Sequence, residues 1–407
     1  MCGRRKKIRL AVALAFVACV LAARAYPART GYAGARGGAG QRAADFRPDL
    51  PKGIPLNVWQ AAVPPDNPLT AEKVALGRTL YFDKRLSADG TVSCAVCHDP
   101  ATAFADQNTL AVGVGGLKGV RNAPTILNAM FNRELFWDGR ARSLEEQAVE
   151  PLLNPSEMGM QTREAVVARV SAIPEYRRKF QKVFGARGLT VETIAKALAA
   201  FERTLLSGNA PFDRFISGDL SAITDAQKRG WNLFRDKAQC ITCHTFAAAS
   251  PFFTDFKFHN TGIAAEDSRF DSLAWRAGEI VSGSSDKQHA LSLLAHTDGF
   301  SELGRFLVTK QAKDIGAFKT TSLRDVELTA PYMHNATEKT LLDVVKFYNR
   351  GGEKNANLDR RMFALKLTDA EMSDIVEFLR ALTSDDVLKQ VQSSRPQTRQ
   401  PVQLADN

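Results

Sequence analysis

Four thiols and two imidazoles stand at a spacing that has few chemical uses. They form Cys94-Ala95-Val96-Cys97-His98 and Cys240-Ile241-Thr242-Cys243-His244, two copies of Cys-x-x-Cys-His. In this motif the two thiols add across the vinyl groups of a haem, and the adjacent histidine ligates the iron from the proximal side. One copy alone could equally be a redox dithiol or half a zinc site. Two copies favour haem, because the only other cysteines, Cys2 and Cys19, lie in an N-terminal targeting segment and leave no spare thiol. Two covalently bound c-type haems are the expected cofactors.

An iron held from one side needs a second ligand or an open face, and the choice separates an electron carrier from a catalyst. The six histidines are His98, His244, His259, His289, His296 and His334. None lies between His98 and His244, so the first module has no distal histidine of its own. Its soft donors are Met130, Met158 and Met160, and the last two follow a proline-rich turn where packing is the commoner fate. The first haem is therefore expected to be open. His289 and His296 fall in a polar, aperiodic stretch from Ile263 to Phe300 and are expected to be exposed, whereas His259 and His334 are expected to hydrogen-bond near the second haem.

The elements that must position these groups are helical. Thr70 and Thr224 each cap a helix, Ala71 to Tyr81 and Asp225 to Phe234, that leads into a haem motif. Thr190 caps an alanine-rich helix from Val191 to Leu206, and Thr340 to Tyr348 and Asp369 to Leu382 are amphipathic. Related text precedes both motifs, Leu80-Tyr81-Phe82-Asp83-Lys84 and Leu233-Phe234-Arg235-Asp236-Lys237. The expected fold is mainly α, with two cytochrome c-like haem domains from an internal duplication and long loops between helices. With 407 residues and 44% hydrophobic content the chain can bury more than one core. The boundaries read 51–217 for the first haem domain and 218–385 for the second, with a flexible leader at 26–50 and a flexible polar tail at 386–407.

Residues 1–25 have a basic start, a short apolar run from Leu10 to Ala22 and a small-x-small site at Ala23-Arg24-Ala25. This is a secretory signal, and the run is shorter than the roughly 20 residues of a spanning helix. Phe16-Val17-Ala18-Cys19 is a poor acylation signal, so cleavage after Ala25 is preferred to a lipoprotein. Export to the periplasm and a mature protein with no membrane span are expected. The formal charge of +10 falls to about +4 once the six basic residues of the signal leave, so nucleic-acid binding has no support.

Several further strings, in order, resemble the bacterial di-haem cytochrome c peroxidases and their MauG-like relatives. They are Arg121-Asn122-Ala123-Pro124-Thr125, Phe136-Trp137-Asp138-Gly139-Arg140, Glu146-Gln147-Ala148-Val149-Glu150-Pro151 and Asn154-Pro155-Ser156-Glu157-Met158. Leu328-Thr329-Ala330-Pro331-Tyr332-Met333-His334 and Phe347-Tyr348-Asn349-Arg350-Gly351-Gly352 continue the likeness, which runs roughly from residue 64 to 384. The resemblance implies a peroxidatic first haem whose distal pocket holds Gln147, Pro151 and Glu157, an electron-transfer second haem, and Trp137 between them. It places the second haem's distal ligand at Tyr348, where the peroxidases proper have Met; Met333 is the competing donor. It also implies a calcium ion held by Asn122, Thr329 and Pro331, which no visible cation motif would have suggested.

Peroxide cleavage needs a proton moved between the two oxygens, a general acid/base task suited to Glu157 with Gln147 as orienting group. Taken alone, Glu157 is a surface acid in a turn, Trp137 a core aromatic and Tyr348 an interfacial phenol. Hydrogen peroxide is the expected substrate and a small c-type cytochrome or cupredoxin the electron donor. Two rivals are an oxidase acting on residues of a partner protein and a non-catalytic di-haem electron carrier. Against the first, Ala238 stands where such maturation enzymes place a Trp before the second haem motif.

Overall fold

The computed structural model describes residues 46–264 and 270–394. The expected signal at 1–25, most of the leader and the last residues of the tail lie outside the described residues. Thr70, Thr190, Thr224, Thr340 and Thr368 are all extended, and each hydroxyl accepts a hydrogen bond from the backbone N–H three residues on. That satisfies a donor which the first helical turn leaves free. The helices so begun are Ala71–Phe82, Val191–Glu202, Asp225–Arg235, Leu341–Asn349 and Asp369–Arg380. The second ends at Glu202 rather than Leu206, because the chain beyond turns to pair with Asn128, whose side-chain amide bonds both the N–H and the C=O of Ser207 at 2.9 Å.

These helices cross in pairs at glycine. A Cβ on Gly77 would lie 1.8 Å from the Ala197 carbonyl oxygen, and one on Gly230 would lie 1.9 Å from that of Asp374. Only glycine lets the backbones approach so closely. Leu76, Leu80, Tyr81, Ile194 and Leu198 close a core around the first crossing, and Phe212, Phe234, Phe253, Phe378 and Leu379 close another around the second. Met158 and Met160 pack in the first core. Among the described residues the sheet is one short antiparallel pair, Phe258–His259 with Phe318–Lys319. No helix among them is long and apolar enough to cross a membrane.

Between the two crossings, Arg324 grips Asp213 through two nitrogens at 2.8 Å, and its Nε donates to the Pro251 carbonyl. Both side chains are almost fully buried. Removing one partner leaves a charge without water, so Arg324→Met should destabilise the haem-loaded protein by about 3–5 kcal/mol. Urea unfolding of both proteins checks this; a loss below about 1 kcal/mol would mean that the carboxylate finds another partner.

Three expectations need correction. The stretch from Ile263 to Phe300 is not aperiodic loop: Phe270–Gly283 and Lys287–Ala295 form a helical hairpin with its own core of Leu273, Ala277, Leu294, Leu303 and Phe306. The tail is helical over Asp385–Ser394, and its Val387 and Val391 pack into the first core. The last five residues of the expected leader, 46–50, pack on the body: the Phe46 N–H donates to the Leu69 carbonyl at 3.3 Å, and Phe46 and Leu50 join the cluster of Trp59.

Candidate haem sites

The first motif is a single helical turn, Cys94–Cys97, ending at His98. The His98 Nδ1 lies 3.3 Å from the Phe104 carbonyl, and the Tyr81 hydroxyl donates to the His98 carbonyl at 2.6 Å. Nδ1–H bonded to a carbonyl leaves Nε2 as the free donor atom, which is the usual orientation of an iron-ligating imidazole. Burial lowers the His98 pKa and so favours the neutral ring that a metal requires. Burial also pushes the Cys97 thiol up to about 12.

A cavity of 180 Å³ opens in front of this motif, lined by Cys94, Cys97, His98, Gln147, Pro151 and Glu157. Gln147 and Pro151 both stand on the Leu144–Leu153 helix, which Ser143 caps, and the four-residue step places them on one face. Pro151 has no N–H, so it adds no donor to that face. Glu157 follows a turn pinned by Asn154, whose Oδ1 accepts from the Ser156 N–H and hydroxyl at 3.0 and 2.9 Å. Every distal residue named from the sequence therefore lines one space.

A histidine does too. His296, just past the Lys287–Ala295 helix, lines the same cavity and lies with its Nε2 2.9 Å from Glu157 Oε1. The expectation that His296 is exposed is thus wrong, while His289 is exposed as anticipated. Burial alone would raise the Glu157 pKa, but the hydrogen bond and charge of His296, helped by Arg140, hold it below the usual carboxylate range. Glu202, unnamed in the sequence reading, also lines this cavity; burial pushes its carboxyl up to about 8, which keeps it neutral.

Trp137 lines this cavity and a second one. Its Nε1 donates to the Asn122 carbonyl at 2.9 Å, and its ring meets His334 edge-on at 6.3 Å. The neighbouring Asp138 is fully buried between Arg121 and Arg140, at 2.6 and 3.0 Å, and Arg140 continues to Glu150 at 2.7 Å. This chain of alternating charge fixes the loop that carries the indole. Lys319 also lines both cavities, and burial lowers its pKa to about 8.

The second cavity, of 210 Å³, is lined by Cys240, Cys243, His244, Met333, His334 and Tyr348. His244 Nδ1 lies 2.9 Å from the Phe253 carbonyl, repeating the arrangement at His98. Tyr348 sits at the end of the Leu341–Asn349 helix, and among the described residues its hydroxyl has no hydrogen-bond partner. A half-buried phenol that faces a cavity shared with Cys240, Cys243 and His244 fits an iron ligand. His334 stacks on Phe318 at 3.6 Å and bonds Glu302 at 2.9 Å, and His259 lies between Asp255 and Asp359 at 2.9 and 2.7 Å.

The Asn122 N–H donates to the His334 carbonyl at 2.8 Å, which ties Asn122 to the segment holding Thr329 and Pro331. The Asn122 amide nitrogen is spent on the Asp106 and Asn108 carbonyls, while its Oδ1 and the carbonyls of Thr329 and Pro331 accept no hydrogen bond among the described residues. Uncommitted neutral oxygens fit a hard cation. Among the described residues no group of three or more His, Cys, Asp or Glu could hold a metal ion.

Comparison with known proteins agrees with this arrangement. Residues 71–221 match the family described as di-haem cytochrome c peroxidase. The chain is 36% identical to cytochrome-c peroxidase IdrP1 of Pseudomonas sp. (strain SCT) over 84% of its length and 88% of that protein. It is also 36% identical to methylamine utilization protein MauG of Methylophilus methylotrophus, over 80% of its length and 90% of the relative. A crystal structure of a MauG-like protein associated with microbial copper homeostasis superposes with a TM-score of 0.67 at 32% identity, covering 84% of this chain and 97% of that one. With two haem motifs each facing its own cavity and these relatives along most of its length, the chain belongs to the di-haem cytochrome c peroxidase family.

Proposed function

We propose that the chain is an exported, periplasmic di-haem peroxidase that reduces hydrogen peroxide to water at the first haem. Electrons come from a small c-type cytochrome or cupredoxin through the second haem. The reading rests on the convergence of Gln147, Pro151 and Glu157 on the cavity that His98 faces. Cys94, Cys97 and His98 would hold the first haem, and Cys240, Cys243, His244 and Tyr348 the second, with Met333 as rival to Tyr348. When bound, the irons supply the redox centre, which no side chain provides.

The chain itself manages protons and position. Glu157, held as an anion, is placed to take a proton from incoming peroxide and return it to the departing oxygen. Gln147 offers an amide to orient the oxygens, and Pro151 keeps its side of the pocket free of competing donors. Trp137 offers an aromatic step between the cavities. Asn122, Thr329 and Pro331 supply oxygens for a calcium between the haems. We read the paired glycine crossings as the products of a duplicated cytochrome module, with the boundary in the turns at 217–224.

Oxidation of a partner protein, the role that the resemblance to the MauG-like branch implies, is the weaker reading. Ala238, at the position of the expected surface Trp, is buried and has no ring to carry a charge outward. Intact mass tests the cofactor content: the secreted protein should exceed its polypeptide mass by two haem groups. One haem, or zinc in place of haem, would end the proposal.

A further inference from the structure

The pocket of the first haem holds a histidine that its own half of the chain does not encode. His296 reaches Glu157 from the hairpin formed by Phe270–Gly283 and Lys287–Ala295. Gln288 anchors the same hairpin at the pocket rim, donating to Glu150 Oε1 at 2.7 Å and to the Arg140 carbonyl at 3.3 Å. The contact is therefore not an isolated surface pair.

Its proton content follows from the partners. His296 Nδ1 lies 2.7 Å from the Ser292 carbonyl, which can only accept, so Nδ1 carries a proton. Nε2 then faces Glu157 Oε1 at 2.9 Å, a contact that is attractive only if one further proton lies between them. That proton belongs to the pair, either as imidazolium beside carboxylate or as imidazole beside carboxylic acid. The other charged or titratable groups facing Glu157 are Arg140, Arg121, His98, Tyr81, Glu202 and Lys319, which line the same cavity, and the two thiols that haem attachment consumes.

We propose that His296 is a positioning residue for peroxide cleavage, holding with Glu157 one transferable proton that the pair gives to the departing oxygen and regains from the attacking one. The proposal rests on the peroxidase reading above. Each turnover consumes one peroxide, two electrons from the redox-protein donor and two protons, and yields two waters. Glu157 takes the proton of the attacking oxygen as the O–O bond breaks, and the pair delivers it to the leaving oxygen. Solvent reaches the pair, with 15% of the His296 and 25% of the Glu157 side chain exposed, and through it enter the two protons that accompany the donor's electrons.

Hydrogen cyanide provides a test that needs no turnover, because HCN binds ferric haem as cyanide only after giving its proton to a nearby base. The wild-type association rate should fall in acid as the pair takes up a further proton, a limb that belongs to the pair rather than to either residue. His296→Gln keeps a donor to Glu157 but cannot hold the second proton. It should slow association about tenfold or more at pH 7 and move the acid limb upward, since burial then acts on Glu157 with the His296 contribution gone and only Arg140 and His98 against it. Glu157→Gln should be at least as slow, and the double variant no slower than Glu157→Gln alone.

His289→Gln, an exposed position on the same helix that does not touch the pair, should leave rate and profile unchanged. Wild-type kinetics in His296→Gln, additive losses in the double variant, or an equal loss in His289→Gln would overturn the proposal while leaving the peroxidase reading intact. Should His296→Gln unfold the hairpin, a flat wild-type profile between pH 4 and 9 would overturn it as well. If wild-type cyanide does not reach the first haem at all, the open-haem reading falls and takes this inference with it.

Discussion

Glu157→Gln should leave the visible spectra of both haems unchanged and slow peroxide cleavage by roughly 10²- to 10⁴-fold, the range usual for a lost general acid/base. Glutamine fills the same volume and can still accept a hydrogen bond from His296, so packing at the Asn154 turn should survive. What disappears is proton affinity at the one carboxylate that faces both His296 and the cavity. Glu202 is a poor substitute, because burial keeps it protonated near neutral pH despite the charge of the neighbouring Arg203. Because Glu157 is held below the ordinary glutamate range, the wild type should keep its rate through mildly acidic pH and lose it only as the carboxylate is protonated below that range. Stopped-flow mixing with peroxide across pH checks both points. Unchanged kinetics in the variant would make Glu157 a turn residue and assign the proton to another group.

The sequence shows the parts of this site that are local. Both haem motifs, the threonine caps and the helix that spaces Gln147 from Pro151 depend on neighbours within a turn or two, so their signal survives in one dimension. Glu157 and Trp137 are different: alone they read as a turn acid and a core aromatic, and only a family resemblance singles them out. His296 lay beyond both routes. Its partner belongs to the other half of the chain, and its hairpin carries apolar residues at Leu273, Ala277 and Val281 among charges and serines that mask the four-residue period. The closing helix went unseen for a related reason. Val387 and Val391 are one turn apart in an otherwise polar stretch, and that pair suffices only because the first core offers a groove for it. Lys319 and Glu202 give no sequence signal, since burial without an ionic partner is a property of the cavities.

Tyr348→His should change the second haem and leave the first alone. The oxidised wild type should show one high-spin and one low-spin ferric signal in electron paramagnetic resonance. Among the described residues His296, the histidine that lines the first cavity beside His98, is not free to be a sixth ligand, because both its ring nitrogens are engaged, one by Ser292 and one by Glu157, while Met158 packs in the first core. At the second haem the Tyr348 hydroxyl and the Met333 sulfur compete for one cavity, and they would pull the potential in opposite directions. A phenolate is a hard anionic donor that stabilises ferric over ferrous iron, while a thioether favours the ferrous state. If Tyr348 is the ligand, replacing it with neutral imidazole should raise the low-spin haem's potential by on the order of 0.1 V, a modest part of the roughly 0.8 V that axial ligands command. The high-spin signal should persist, and oxidising equivalents should no longer be stored at the second haem after peroxide is added. Potentiometric titration and spectra of the two proteins decide the matter. A low-spin haem indifferent to the Tyr348 change would transfer the ligand to Met333, and two low-spin signals in the wild type would close the first haem to peroxide.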